Sequence, residues 1–434
     1  MKKIIIQLFF VALIISGCQS EKTIQSSQYP HYEIELAVDP QKEYIAVKGT
    51  LTLNSIPENA DSLGFYIDKG VDLKQFTLNK KQTAIIDTAS SDNRFLPNAR
   101  KLYFKFPKDF DRSAPLAIQF AYEGKLSEIP KQAANRIGEK WTELGLYIPW
   151  FPFNYEELGS FTYSINVTAN QKYTVFGIGN ITHENDVTNL SSAIPTNDIV
   201  VCLSEDIQVF ETEMGNNRLK IFHKNFPDTL LNKMSGEVTQ MFNRFNSWFG
   251  AIDMDISIIE TQRIQGGGYA RIGGLVLSGI NPAKFDKQIV YYHQFFAHEL
   301  AHLWWHKASA TTWHDWLNES FAEYSSLMSL KETFGQDTFD LYIAHKKKEL
   351  EGTPPIWELD RNNVEYEIAY QVLYNKGPLL LYELESKIGN NKFCLLCNSM
   401  IRNETNTTED FLKLLAQEVN PETASWFEEM LRTR

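Results

Sequence analysis

Apolar residues fall on every second position through the first half of this chain and on every third or fourth position through the second half. That change of period, near residue 212, restricts the fold to a β domain followed by a largely helical one. Tyr32, Ile34, Leu36 and Val38 alternate with other residues, as do Leu51 and Leu53, and Leu102, Phe104 and Phe106. Further short runs, Leu116 to Tyr122, Tyr163 to Val167 and Tyr173 to Phe176, are separated by clusters of Asn, Asp, Ser and Gly. Strands half-buried in a sheet have a side-chain period of two, and such clusters form turns, so residues 29–205 read as one antiparallel β domain. Pro227 to Phe249 instead carries Leu230, Leu231, Met234, Val238, Met241, Phe242 and Phe245 at helical spacing. Ile256 to Ile259 and Gly274 to Ser278 read as strands, the second introduced by Gly266-Gly267-Gly268. Helices are then expected over 285–306, 316–333, 336–350, 366–388, 391–402, 408–417 and 421–432. The fourth should kink or break at Gly377-Pro378, because proline removes a donor from the helical ladder. Residues 212–434 thus form an α+β, mostly helical second domain.

The first residues stand outside both domains. Lys2 and Lys3 precede an apolar stretch from Ile4 to Ile15, too short to span a membrane and suited to a signal peptide. The stretch ends in Ile15-Ser16-Gly17-Cys18, which resembles the bacterial lipobox, whose cysteine is lipidated and becomes the mature N-terminus. Residues 1–17 are then a lipoprotein signal and 18–28 a polar tether. Discarding 17 residues and two lysines leaves 417 residues and moves the formal charge from -12 to -14. Such acidity excludes nucleic acid as the main partner. The expected location is the bacterial cell envelope, lipid-anchored in a membrane; Gln19-Ser20 after the cysteine resembles the sorting pattern for the outer membrane. With Cys18 assigned to lipid, Cys202, Cys394 and Cys397 are an odd number, and Cys394-Leu395-Leu396-Cys397 lies in an apolar helical pattern. Buried structural thiols are expected.

The chemistry is concentrated in His298-Glu299-Leu300-Ala301-His302, within the apolar helical run from Ile289 to Trp305. Residues four apart share a helix face, so His298 and His302 can present two imidazoles to one cation. Two neutral imidazoles with a carboxylate form a zinc ligand set. Glu299, rotated by one residue, can reach water at such a metal without ligating it and would act as general base. Catalysis needs a third protein ligand and an open fourth position. Glu319, in Trp316-Leu317-Asn318-Glu319-Ser320-Phe321-Ala322-Glu323, can complete the set, and Glu323 one turn later can accept the outer N–H of a ligand histidine.

These segments resemble the aminopeptidase N family, zinc peptidases of the gluzincin type. His298 to Trp305 is similar to that family's metal helix and Trp316 to Ala322 to its N-E-x-F-A segment. Tyr374-Asn375-Lys376-Gly377 is similar to its Y-x-K-G, whose tyrosine stabilises the tetrahedral intermediate. The resemblance implies a β domain followed by a thermolysin-like catalytic domain, one zinc ion, and peptide or protein substrates. It makes His298, His302 and Glu319 ligands, and Glu299 and Tyr374 catalytic.

Three departures bear on function. Sixteen residues separate His302 from Glu319, about two fewer than usual in the family, and His306 and His314 beside that connection read as supporting residues. The family's G-x-M-E-N strand, whose glutamate pairs with a substrate α-amine, corresponds to Gly267-Gly268-Tyr269-Ala270-Arg271. The strand should still add peptide backbone, with its glycines permitting close approach, but the amine anchor is Ala270 and Arg271 adds a positive charge. Glu143 is a candidate substitute from the β domain, with a surface or structural role the more expected. Finally, the chain after Tyr374 is too short for the family's large helical C-terminal domain. Zinc-dependent peptide hydrolysis is the leading reading. An endopeptidase, a non-peptide hydrolase using the same site, or a catalytically idle zinc scaffold are the alternatives.

Overall fold

A computed structural model describes residues 29–433 apart from 57, 88–95, 97, 128–134, 155–157, 264–266, 351 and 362. The expected signal, the tether and Cys18 lie outside the described residues.

In the N-terminal half, strand His31–Asp39 buries Tyr32, Ile34, Leu36 and Val38 and turns its glutamates to solvent, the pattern of a sheet with one covered face. It lies inside an eight-stranded sheet, between Tyr44–Leu53 and Phe161–Thr168. Pairing in this sheet is antiparallel except at the seam between His31–Ala37 and Thr162–Thr168, which is parallel. More than a hundred residues connect those two strands, so no hairpin dictates their direction. Two three-stranded sheets complete the domain and enclose an aromatic core containing Tyr32, Phe65, Phe120, Trp150, Phe151 and Phe153. Buried phenols there find carbonyls: the Tyr32 hydroxyl donates to Pro152 O and the Tyr122 hydroxyl to Trp150 O, each at 2.6 Å.

The second half opens with a five-stranded sheet that begins at Gln208, in the order Gln208–Met214, Asn217–His223, Ile256–Glu260, Gly274–Leu277, Gly268–Arg271. Its two central strands, Ile256–Glu260 and Gly274–Leu277, are buried along nearly their whole length because both faces are covered. One face receives helices; the other meets the β domain through Trp141, Phe176, Cys202, Phe222, Ile259, Tyr269 and Val276, which form one cluster across the seam. The edge strand is Gly268–Arg271.

Helix α1 spans Asp228–Phe249, α2 Ile289–Ala301, α3 Trp316–Phe334, α4 Gln336–Lys348, α5 Tyr366–Tyr370 and α6 Gly377–Ile388. Three more follow, α7 Asn390–Arg402, α8 Thr408–Glu418 and α9 Pro421–Thr433. From Trp316 to Leu330, every residue of α3 except Glu319 is buried, which places that helix in the centre of the domain. Its serines allow close packing: Ser325 and Ser326 bond their own helix carbonyls at 2.7 Å, and Ser325 also accepts Trp305 Nε1. Helix α2 stops at Ala301, short of the expected 306, because Trp304 and Trp305 turn their indoles toward Gly250 O and Ser325 Oγ.

The expected break at Gly377-Pro378 does not occur. A π-helical turn, Gln371–Lys376, joins α5 to α6 in one continuous path. The Gly377 N–H bonds Val372 O, five residues back, which leaves Leu373 O unclaimed; Pro378 has no N–H to offer Tyr374 O. Both carbonyls are taken from outside, Leu373 O by Ser320 Oγ and Tyr374 O by Lys346 Nζ, each at 2.7 Å. Side chains of α3 and α4 therefore supply what the proline removes.

Cys202 and Cys397 are buried, Cys394 is partly so, and all three are free thiols. Among the described residues, no helix is long and apolar enough to cross a membrane.

Candidate active site

Helix geometry turns His298 and His302 to the same side of α2, with His302 at the helix's C-terminal cap. Their Nε2 atoms lie 3.3 Å apart. From the adjacent α3, Glu319 Oε2 approaches to 3.5 Å from His298 Nε2 and 3.6 Å from His302 Nε2. Each imidazole is fixed from behind. The Nδ1–H of His298 donates to Glu323 Oε2 at 2.9 Å and that of His302 to Trp305 O at 3.0 Å, so both Nε2 lone pairs face inward.

Two lone pairs facing each other, with the buried Glu319 Oε2 left without a hydrogen-bond partner, are unfavourable unless a cation joins them. A tetrahedral zinc with bonds of about 2.0–2.2 Å has ligand–ligand edges of roughly 3.3–3.6 Å. The observed triangle matches that face. The donor set fits a single zinc ion, and His298, His302 and Glu319 form the one group of its kind among the described residues. Electrostatics agree: burial opposes charge on His298, yet Glu319 and Glu323 outweigh it and lift its pKa to about 10. The pocket demands positive charge, and a divalent cation supplies it in place of an imidazolium proton.

Glu299 is buried on the flank of the same helix. Desolvation raises its pKa, opposed by the two histidines and by Arg271, so the carboxylate is a stronger base than one in water. Tyr374 arrives from the π-turn. Its ring stacks on that of His298 with centroids 5.3 Å apart, which brings its hydroxyl beside the Glu319 carboxylate. Burial and the surrounding carboxylates push that hydroxyl's pKa well up, keeping it a donor.

Glu323 is wholly enclosed. Besides His298 it receives Gln294 Nε2 at 2.9 Å and Lys346 Nζ at 2.5 Å. Burial works against its charge, but Lys346 and His298 prevail and hold its pKa near about 2. Lys346 was not singled out in the sequence, although a signal exists. It follows Phe339 and Ile343 on the buried face of α4, where a lysine needs a carboxylate. Asn318 also works locally, bonding Ala308 N and O and so tethering the loop between α2 and α3. His306 bonds His302 O and His314 bonds Thr408, and neither belongs to the metal cluster.

The expected substrate strand, Gly267 to Arg271, lies at the sheet edge against α2. Its glycines answer to neighbours within the chain: a Cβ on Gly268 would lie 2.6 Å from Val276 O, and one on Gly267 2.9 Å from the Phe295 ring. Tyr269 turns away from the edge and donates to Glu143 Oε1 at 2.9 Å. Glu143 is completely buried at the domain seam, accepting also from Trp141, Asn135 and Thr261. Arg271 Nε bonds Asp198 Oδ2 of the β domain at 2.6 Å.

Residues 280–430 match the peptidase family M1 domain. Over that stretch, which holds all three residues of the His298, His302 and Glu319 cluster, the chain is similar to peptidase family M1. It is 32% identical over 106 residues to human endoplasmic reticulum aminopeptidase 2, which is 22% of this chain and 11% of that protein. It is also 32% identical over 107 residues to probable aminopeptidase 1 of Saccharolobus solfataricus, covering 22% and 14%. The matched stretch is thus a small part of these longer relatives. In fold the likeness is much wider. The M1 zinc metallopeptidase of Deinococcus radiodurans superposes with a TM-score of 0.72 at 16% identity, covering 93% of each chain. Leukotriene A4 hydrolase of Saccharomyces cerevisiae gives 0.69 at 15% identity, covering 92% of this chain and 66% of that one. The β domain followed by a helical, thermolysin-like region is this shared architecture.

Proposed function

We propose that this chain is an M1 peptidase that hydrolyses peptide bonds with one zinc ion at the bacterial cell envelope. The observation that carries the chemistry is the triangle of His298 Nε2, His302 Nε2 and Glu319 Oε2, with Glu299 and Tyr374 beside it. When bound, zinc supplies Lewis-acid charge that acidifies water and stabilises negative charge on a carbonyl oxygen. Glu299 takes the proton of the attacking water and later delivers it to the leaving amine, a task suited to a carboxylate whose pKa burial has raised. The Tyr374 hydroxyl, kept protonated by its surroundings, donates to the oxyanion as it develops. Glu323, charged and held by Lys346, keeps His298 in the tautomer that offers Nε2 inward. A peptide substrate, Tyr-Ser-Ala, is bound in a structure of the Deinococcus radiodurans relative.

The envelope location rests on Lys2-Lys3, the apolar run Ile4 to Ile15 and the lipobox ending in Cys18. Incorporation of a fatty-acid analogue that disappears in Cys18→Ser, together with release of that variant to the soluble fraction, would support it; labelling that persists would refute it.

For the catalytic reading, the purified protein should bind one zinc per chain. Glu299→Gln should keep that zinc and lose about 10²–10⁴-fold in kcat/KM on peptides. Full activity in this variant would refute the assignment.

A further inference from the structure

The edge strand shows what kind of group can dock beside Ala270. The hairpin turns through Ile272 and Gly273, so Arg271 and Gly274 form its first bonded pair, and Tyr269 with Val276 the next. Ala270 and Gly268 alternate with these and direct their N–H and C=O toward the open edge. A peptide adding to that edge would ordinarily give an N–H to Ala270 O. That carbonyl is already taken: Arg271 Nη1 donates to it at 2.8 Å. The guanidinium is locked in this pose from the other domain, by Asp198 Oδ2 at 2.6 Å from Nε, and lies over the Tyr269 and Tyr147 rings at 4.6 and 5.4 Å. Asp198 is itself held by Leu146 N and Ile199 N. The edge thus ends in a fixed cationic donor where a carbonyl acceptor would otherwise stand.

The two β-domain carboxylates near this point are already engaged. Glu143 accepts from Trp141, Asn135, Thr261 and Tyr269, and Asp198 is bound to Arg271. Glu299, on whose charge Arg271 also acts, is the general base of the proposed reaction, so a substrate ammonium would meet the guanidinium with no carboxylate reserved to balance it.

Resting on the peptidase reading above, we propose that Arg271, positioned by Asp198, selects substrates that present an oxygen acceptor beside Ala270, and disfavours a free α-ammonium. The acceptor is an acyl carbonyl, from an internal or N-acylated peptide, or a carboxylate. A guanidinium offers donors in a planar fork suited to either.

The test uses one peptide sequence with free, N-acetyl and N-succinyl amino ends, cleaved by the full chain with zinc bound. The acetylated peptide should exceed the free one at least tenfold in kcat/KM. A further gain for the succinyl form identifies a carboxylate as the preferred acceptor; equal rates identify the carbonyl. Arg271→Glu, checked for an unchanged unfolding midpoint, should shift the ratio toward the free peptide by at least tenfold. Wild-type preference for the free amine, or a ratio unmoved in Arg271→Glu, would overturn the proposal. If no peptide is cleaved, the peptidase reading fails by itself. Calorimetric binding of the same three peptides to Glu299→Gln then still decides the proposal, which falls if the free peptide binds as tightly as the acetylated one.

Discussion

Gly377→Ala tests the contact that brings Tyr374 to the triangle of His298, His302 and Glu319. A Cβ built on Gly377 lies 2.5 Å from Ser320 Cβ and closer still to its Oγ, where about 3.5–4.0 Å is comfortable. Either the two helices separate by roughly 1 Å or Ser320 turns away and Leu373 O loses its donor. Overpacking costs about 1–3 kcal/mol and an unsatisfied buried acceptor a further ~1–3 kcal/mol. A total of about 2–6 kcal/mol lowers the unfolding midpoint of a helical domain this size by roughly 4–24 °C. Tyr374 sits three residues earlier on the same turn, so a displacement near 1 Å should also cost about 10²-fold in kcat/KM. The assay is thermal unfolding, monitored by circular dichroism, alongside peptide hydrolysis, in a double-mutant cycle with Ser320→Gly. That second change removes both clashing atoms, so the double variant should be more stable than the sum of the single losses by about 1–3 kcal/mol. A Gly377→Ala protein with a midpoint within 1–2 °C of wild type, or additive losses in the cycle, would refute the close-approach argument.

Three further outcomes are expected. Glu323→Gln should weaken zinc binding about 10–100-fold, read by competition with a chelating dye, because the amide holds His298 less firmly than the carboxylate does. Lys346→Met leaves Glu323 buried without its cation and Tyr374 O without a donor, and should destabilise by about 3–5 kcal/mol in urea titrations; the double variant Lys346→Met with Glu323→Gln should recover part of that loss. Removing zinc with a chelator should lower the unfolding midpoint, since a ligand at about 100–1,000 times its Kd adds ~2.7–4.1 kcal/mol, and re-addition should restore it; an unchanged midpoint would show that the triangle holds no metal.

Some of the site was legible because it is local. His298 and His302 are four residues apart on a helix, and backbone geometry alone puts them on one face. Glu319 and Glu323 are related in the same way on α3. Other parts depend on contacts between segments far apart in the chain, which no periodicity records. Ser320 and Lys346 maintain the π-turn and Asp198 holds Arg271 across the domain seam, and the last bond links residues 73 positions apart. The expected break at Gly377-Pro378 followed correctly from proline's missing donor; it fails only because α3 and α4 deliver replacement donors to the freed carbonyls.

Hydrophobic period and motif spacing by themselves determined a β domain, a helical domain and a pair of histidines ready for a metal. Only the tertiary structure decided that Glu319 closes the ligand triangle at 3.5–3.6 Å, and that Glu143 is consumed at the seam. It also decided that Arg271 caps the strand edge. The physical reason is range. Side-chain periodicity is set by backbone geometry within a few residues, whereas a ligand set and a substrate edge are set by which distant groups burial forces to satisfy one another.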